Sequence, residues 1–147
     1  MIGGAGAALG ALHYLSAVAL WVAIAALSGQ LSPNLVDLAF VGAEFAGILL
    51  CGAGLAGAWL ALRARTRPGA LLMLLSAAGI LAVFAAQPLL VEAAGAYGVP
   101  ERLRADTGPP PGDYYRAAFA PTIPLLLGAA LAFLAHGRGA RTAVGSG

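Results

Sequence analysis

Residues 38–62 read LAFVGAEFAGILLCGAGLAGAWLAL, an apolar run that contains one charged side chain, Glu44. A helix needs about 20 apolar residues to cross the hydrocarbon core of a bilayer, and this run is long enough. Three further stretches have the same character, namely residues 5–28, 70–91 and 117–135. We therefore predict an all-α, four-helix transmembrane bundle.

The composition of the whole chain agrees with this prediction. Of its 147 residues, 61% are hydrophobic and 10% are charged, and the mean hydropathy is +0.88. Such values exclude an ordinary soluble domain. We expect a single four-span domain over residues 1–137 and a short cytoplasmic tail over residues 138–147. The first apolar stretch lacks the basic start of a secretory signal and is longer than a signal core, so we interpret it as a span.

The arginines predict the orientation. All 8 basic residues are arginine, which together with the many alanines and glycines points to a GC-rich bacterial genome. Arg63, Arg65 and Arg67 crowd the second connection, Arg138 and Arg141 follow the fourth span, and the first connection has no basic residue. By the positive-inside rule, both termini and the second connection are cytoplasmic. We expect a multi-pass protein of the bacterial inner membrane with antiparallel neighbouring helices.

The connection between the third and fourth spans is the longest, and this topology places it outside the cytoplasm. It runs from Glu92 to Arg116 and includes a proline-rich segment, 108–112, which we interpret as a stiff extended spacer. A short helix is expected around residues 100–105. Long connections of this kind are frequently functional. The charged and aromatic side chains of this one form a candidate docking surface: Glu101, Arg102, Arg104, Tyr114 and Tyr115.

Depth within each span predicts which polar side chains meet. With every span centred on the bilayer and 1.5 Å of rise per residue, Glu44, Gln87 and Thr122 lie about 6–10 Å toward the outer face. Prolines at similar depth would free backbone carbonyls; they are Pro88, Pro121 and Pro124. We therefore predict a polar cavity in the outer half, lined by Glu44, Gln87 and Thr122.

A second polar level is expected on the inner side. His13 lies about 15 Å from Glu44 along the membrane normal, too far for an ion pair or a shared metal. We place His13 with Ser76 in this inner level. A haem held by His13 and His136 would need both rings at one depth, which their positions do not give. Cys51 is the sole cysteine, so we predict neither a metal site nor a cofactor.

Motifs for soluble-type catalysis are missing from the sequence. No nucleotide-binding, hydrolase or zinc-protease pattern stands on a suitable element, and the arginines form no basic stripe for nucleic acid. We therefore predict a protein that is not an enzyme and whose direct partner is the lipid bilayer.

Glu44 carries the functional hypotheses, because an acidic group near the centre of a span costs about 3 kcal/mol to insert. Three roles stay open: a protonated structural carboxyl bonded to Gln87 or to a freed carbonyl, a transport or proton-relay group, and a contact for a partner subunit or quinone-like ligand. The protein is then either a small transporter or channel-like protein, or an accessory or assembly subunit of a larger complex, such as a respiratory or other energy-transducing one. Four helices enclose little volume, so we expect a homo-oligomer or a larger complex.

A set of marker residues is spread over nearly the whole chain. They are His13 and Trp21, Pro33, the arginine-rich connection, Gln87 with Pro88, and the segment YRAAF at 115–119. This pattern resembles an uncharacterised bacterial four-span family related to copper-resistance D membrane domains. Members of such families tend to carry a further histidine in the last helix, and the resemblance would then imply copper handling. Here residues 120–123 read APTI, so the resemblance does not extend to a copper site.

Overall fold

The structure, a computed structural model, describes residues 1–28, 35–96 and 111–144. These residues form four α-helices and no strand: α1 (Ile2–Ser28), α2 (Leu35–Leu62), α3 (Thr66–Ala96) and α4 (Pro111–Val144). Each helix contains a stretch long and apolar enough to cross a membrane, at Ile2–Ile24, Val41–Leu62, Thr66–Gln87 and Ala118–Gly137. The predicted all-α, four-span architecture is confirmed, and the chain is a small polytopic membrane protein.

The helices extend beyond the apolar runs that predicted them. α3 ends at Ala96 and α4 runs from Pro111 to Val144, because helical backbone hydrogen bonds do not require apolar side chains. Proline fits the first position of α4, since the N–H that it lacks would have no partner within the helix. The expected extended spacer is therefore corrected at its end, because residues 111–112 are helical. Residues 138–144 of the expected tail continue α4, and their cytoplasmic location stays a prediction. The short helix predicted around residues 100–105 lies outside the described residues.

The four helices pack in chain order around a square. α1 and α3 each contact both α2 and α4. Gly6 and Gly10 of α1 face Pro124 and Pro121 of α4 in reverse order, so these two helices are antiparallel. The last helix thus closes the bundle against the first.

Small side chains fill much of the interior, together with a few large ones such as Tyr14, Ile80 and Leu125, and most large aliphatic side chains cover the surface. Cys51 and Ala77 are 0% exposed, whereas Leu49 and Leu75 are 74% and 68% exposed. Lipid tails are as apolar as leucine, so association of these helices depends on close packing rather than on removal of leucines from water. The exposed leucines form the surface expected to contact lipid.

A tight turn joins α2 to α3. Ala64 has a φ of 63°, and the Arg65 N–H donates to the Leu60 carbonyl at 3.0 Å. This is a Schellman-type helix end, in which a residue of left-handed conformation follows the last helical turn. The turn sends α3 back along α2 and brings their backbones together at Gly57 and Gly69.

A Gly69→Ala substitution is expected to destabilise the protein. A Cβ atom at Gly69 would lie 2.5 Å from the Gly57 carbonyl oxygen and 2.7 Å from the Ala61 nitrogen. Both are backbone atoms, so α2 and α3 would have to move apart. We expect a loss of about 1–3 kcal/mol, which is typical of overpacking. Thermal unfolding in detergent, followed by tryptophan fluorescence, measures the loss.

Gly52→Ala is the matched control for this substitution. A Cβ atom at Gly52 would meet nothing within 4 Å, so the alanine should be neutral or should stabilise the helix by roughly 0.5–1 kcal/mol. Equal melting temperatures for the two variants would show that the backbone approach at Gly69 contributes nothing to stability.

Candidate functional site

Tyr14 lies at the centre of the bundle. Its side chain is 0% exposed, and its ring stacks on Phe84 of α3 with centroids 5.3 Å apart and planes inclined by 22°. On the α2 side the ring covers Gly47, where a Cβ atom would lie 2.8 Å from two ring carbons. The tyrosine therefore crosses the interior from α1 to α3 and depends on the missing side chain at Gly47.

Glu44 and Gln87 lie one helical turn beyond this ring, on the side predicted to be outer. Glu44 precedes Gly47 by three residues on α2, and Gln87 follows Phe84 by three on α3. Because α2 and α3 are antiparallel, the step from Gly47 back to Glu44 and the step from Phe84 on to Gln87 run in the same direction. Each step covers about 4.5 Å along its helix axis. The packing of Tyr14 thus places the carboxyl and the amide at one depth.

Three of the four side-chain polar atoms of Glu44 and Gln87 are unsatisfied. Glu44 Oε2, Gln87 Nε2 and Gln87 Oε1 are buried, and none has a hydrogen-bond partner among the described residues. Gln87 as a whole is only 1% exposed. A buried polar atom without a partner costs about 1–3 kcal/mol, so three of them at one place need an explanation. The pair is suited chemically to hold a proton, water or a small polar group.

Tyr14 connects the pair to the other half of the bundle. Its phenol lies near both Glu44 and Cys51. Cys51 is fully buried, and a Cβ atom at Gly10 would lie 3.0 Å from its Sγ and 2.6 Å from Pro121 Cβ. The level below the ring is therefore closely packed, so that Tyr14 separates a polar outer level from a dense inner one.

Thr122 does not join Glu44 and Gln87, which corrects the predicted three-residue cavity. Its hydroxyl donates to the Ala118 carbonyl of its own helix at 2.6 Å. The adjacent Pro121 packs at the level of Cys51, seven residues or about 10 Å from Glu44 along α2. The depth estimate failed because contacts between proline and glycine set the register of α4, not the centre of its apolar run.

The prolines play different structural roles from one another. Pro121 and Pro124 fit their rings against Gly10 and Gly6 and hold α1 to α4 instead of lining the polar pair. Pro88 lies within α3, and its missing N–H removes the usual helical partner of the Phe84 carbonyl. The Phe84 carbonyl, which thus lacks its helical donor, lies at the same depth as the Tyr14 ring, about one turn from Gln87.

The expected inner level of His13 and Ser76 is not formed. Ser76 is buried and donates a hydrogen bond to the Leu50 carbonyl at 2.5 Å, which ties α3 to α2. His13 is exposed on the outside of α1. Its ring and that of Tyr14 are in an edge-to-face arrangement, with centroids 5.6 Å apart. His136 is also exposed, with its Nδ1 3.3 Å from the Thr66 hydroxyl. No three His, Cys, Asp or Glu side chains of the described residues cluster in a way that could hold a metal ion.

Only part of the candidate docking surface falls within the structure. Tyr114 and Tyr115 belong to the first turns of α4. Glu101, Arg102 and Arg104 lie outside the described residues. The proposed surface therefore stays a prediction.

Tyr14 is the residue that the sequence reasoning missed. It continues the four-residue spacing of Gly6 and Gly10, so it shares their bundle-facing side. Tyrosine is enriched at membrane interfaces, which makes a tyrosine in the middle of an apolar stretch unusual. These two signals together could have placed Tyr14 in the interior.

The chain was compared with known proteins. No family model matches it, nor does any curated protein or solved structure. The resemblance to the four-span family therefore stays a prediction.

Proposed function

We propose that this polytopic membrane protein is a small, non-enzymatic transporter of the bacterial inner membrane that transfers protons. Glu44 takes up and releases the proton, and Gln87 orients it. The observation that supports this role is the group of three buried polar atoms, one on the half-buried Glu44 and two on Gln87, that have no hydrogen-bond partner among the described residues. Ionisable groups facing a bundle interior commonly mark ion pathways and proton relays.

The packing favours a proton over a larger solute. Below the pair, the Tyr14 ring fills the space between Gly47 and Phe84, and the next level is closed by contacts of Gly10 with Cys51 and Pro121. A solute would need these layers to separate. A proton needs only a series of hydrogen-bonding groups and transient water, for which the phenol of Tyr14 provides the next group after Glu44.

Proton flux into liposomes tests this function. The purified chain is reconstituted with the pH dye pyranine inside, and a potassium gradient with valinomycin sets the membrane potential. We expect the internal pH to change faster than in protein-free liposomes, and the rate to rise with the amount of protein. A rate equal to that of protein-free liposomes at every protein density and at either sign of the potential would reject the proposal.

A second function, that of an accessory subunit in a larger membrane complex, is favoured by His13. It occupies the midpoint of the apolar stretch Ile2–Ile24 and is exposed on the outside of α1. No described residue hydrogen-bonds to its imidazole. A polar side chain facing hydrocarbon at this depth is costly, and a polar group on a neighbouring subunit would offset that cost.

His13→Leu tests the subunit function. If His13 bonds to another subunit, the leucine variant should dissociate more readily in mild detergent, by a factor of about 3–30, the range of an interhelical hydrogen bond. Size-exclusion chromatography with light scattering measures the assembly mass. His136→Leu, which removes the other histidine, should leave it unchanged. An unaltered mass together with a higher melting temperature for His13→Leu would contradict the subunit function.

A further inference from the structure

An apolar groove runs between α1 and α2 at the end of the bundle that carries the arginine-rich turn. Its volume is about 560 Å³. The floor is formed where Gly4 approaches Ala58, since a Cβ atom at Gly4 would lie 3.3 Å from that of Ala58. Aliphatic side chains and one indole form the walls: Met1, Leu55, Ala56, Trp59 and Leu62. The groove opens to the outside of the bundle, where acyl chains would lie.

A positive charge lies at the mouth of this groove. The Arg63 guanidinium lies over the Trp59 ring, 4.4 Å from its centroid. The Arg63 backbone belongs to the end of α2, because its N–H donates to the Trp59 and Leu60 carbonyls at 3.1 Å. The indole is thus both a wall of the groove and the platform for the guanidinium.

The charge around the mouth has one sign. Arg65 and Arg67 follow Arg63 within one turn, and the sequence has no aspartate or glutamate between residues 45 and 91. Arginine binds phosphate through paired N–H donors, and basic residues at the membrane surface attract anionic lipid by about 1 kcal/mol each.

We propose that this groove is a binding site for an anionic phospholipid, with one acyl chain along Gly4 and Leu55 and the phosphate on Arg63. The apolar groove ends at the guanidinium, as an acyl chain ends at its headgroup. A transmembrane segment of another protein would fill the groove without needing the charge, whereas a free phosphate would use the charge without the groove. Only a lipid uses both. This site is independent of the proton pathway and lies at the opposite end of the bundle from Gln87.

Fluorescence quenching by brominated lipids tests the site. The protein has 2 tryptophans, so a Trp21→Phe background leaves Trp59 as the sole reporter. In phosphatidylcholine vesicles, brominated phosphatidylglycerol should quench Trp59 at about one-fifth of the mole fraction that brominated phosphatidylcholine requires, because one arginine contributes about 1 kcal/mol. Equal quenching by the two lipids would overturn the proposal.

Matched variants distinguish a specific lipid-binding site from a general attraction of anionic lipid to the arginines. Arg63→Gln should remove the preference for the anionic lipid, whereas Arg67→Gln, with the same change in net charge, should keep most of it. Gly4→Leu should fill the groove and reduce quenching by both lipids, whereas Gly42→Leu, at a position with nothing within 4 Å of an added Cβ atom, should not. Equal effects of the two arginine variants would overturn the proposal. So would quenching that depends on protein density, since that indicates a second copy in the groove.

Discussion

Glu44→Gln is expected to reduce proton flux into liposomes to the rate of protein-free vesicles. Glutamine has nearly the same size and shape as glutamate but cannot exchange a proton at neutral pH. The carboxyl is the group at the level of Gln87 that can do so, and its Oε2 has no partner among the described residues. We expect a fall of about 100-fold or more, the scale typical of losing a positioned proton-transfer group.

Three measurements show whether the loss of flux comes from the carboxyl of Glu44 itself. Glu44→Asp keeps a carboxyl one methylene shorter and should retain part of the flux. The melting temperature of Glu44→Gln should equal or exceed that of the wild type, because the substitution removes a group that is costly to bury. Thr122→Val changes a hydroxyl that bonds within its own helix and should leave the flux unchanged. Wild-type flux in Glu44→Gln would exclude Glu44 as the proton carrier.

Tyr14→Ala is expected to expose Cys51 to thiol reagents from the outer side. Only the thiolate reacts, so labelling requires water to reach a side chain that is 0% exposed in the structure. Removing the ring would connect the level of Glu44 with the level of Cys51. We expect N-ethylmaleimide to label the variant about tenfold faster than the wild type, as for a site that no longer needs local opening. Mass spectrometry of the intact protein measures the labelled fraction.

The ring, not the hydroxyl, should provide this protection. Tyr14→Phe keeps the stack on Phe84 and the cover over Gly47, so Cys51 should react as slowly as in the wild type. A membrane-impermeant thiosulfonate should label Tyr14→Ala from the side of Glu44 and not from the side of the arginines. Labelling from both sides would indicate a loosened fold, and gel filtration provides the independent check. Slow labelling of a folded Tyr14→Ala protein would show that Tyr14 does not close the passage.

The number of helices was predictable because each membrane span requires a run of about 20 apolar residues, and such runs can be counted in the sequence. The depth of Glu44 relative to Gln87 was estimated from span centres, and the contacts of Tyr14 with Gly47 and Phe84 place both at one level. The same estimate misplaced Thr122, because the register of α4 depends on how Pro121 and Pro124 fit glycines on α1. Such fits involve two helices, so the sequence of one helix does not show which residues of the other it will meet.

The side of each helix that faces the interior of the bundle was the property least predictable from the sequence. α1 is apolar all round, so no amphipathic pattern shows which side is buried. His13 and Tyr14 are neighbours in sequence and differ by about 100° around the helix axis, yet one faces outward and the other fills the core. From the sequence, His13 was the stronger candidate for an interior site, because imidazole takes part in more kinds of chemistry than a phenol. Packing against Gly47 decided that the tyrosine is the one inside.

The glycine contacts also determine how this bundle can move. Gly57 meets the Gly69 carbonyl, and a Cβ atom at Gly128 would lie 2.9 Å from the Gly3 Cα, so two helix pairs touch backbone to backbone at the arginine end. Toward the other end the helices are held apart by side chains such as Tyr14 and Leu50. We therefore expect any separation of the helices to begin at the end that carries Glu44 and Gln87, where side chains lie between the helices, and not at the arginine end, where backbones touch.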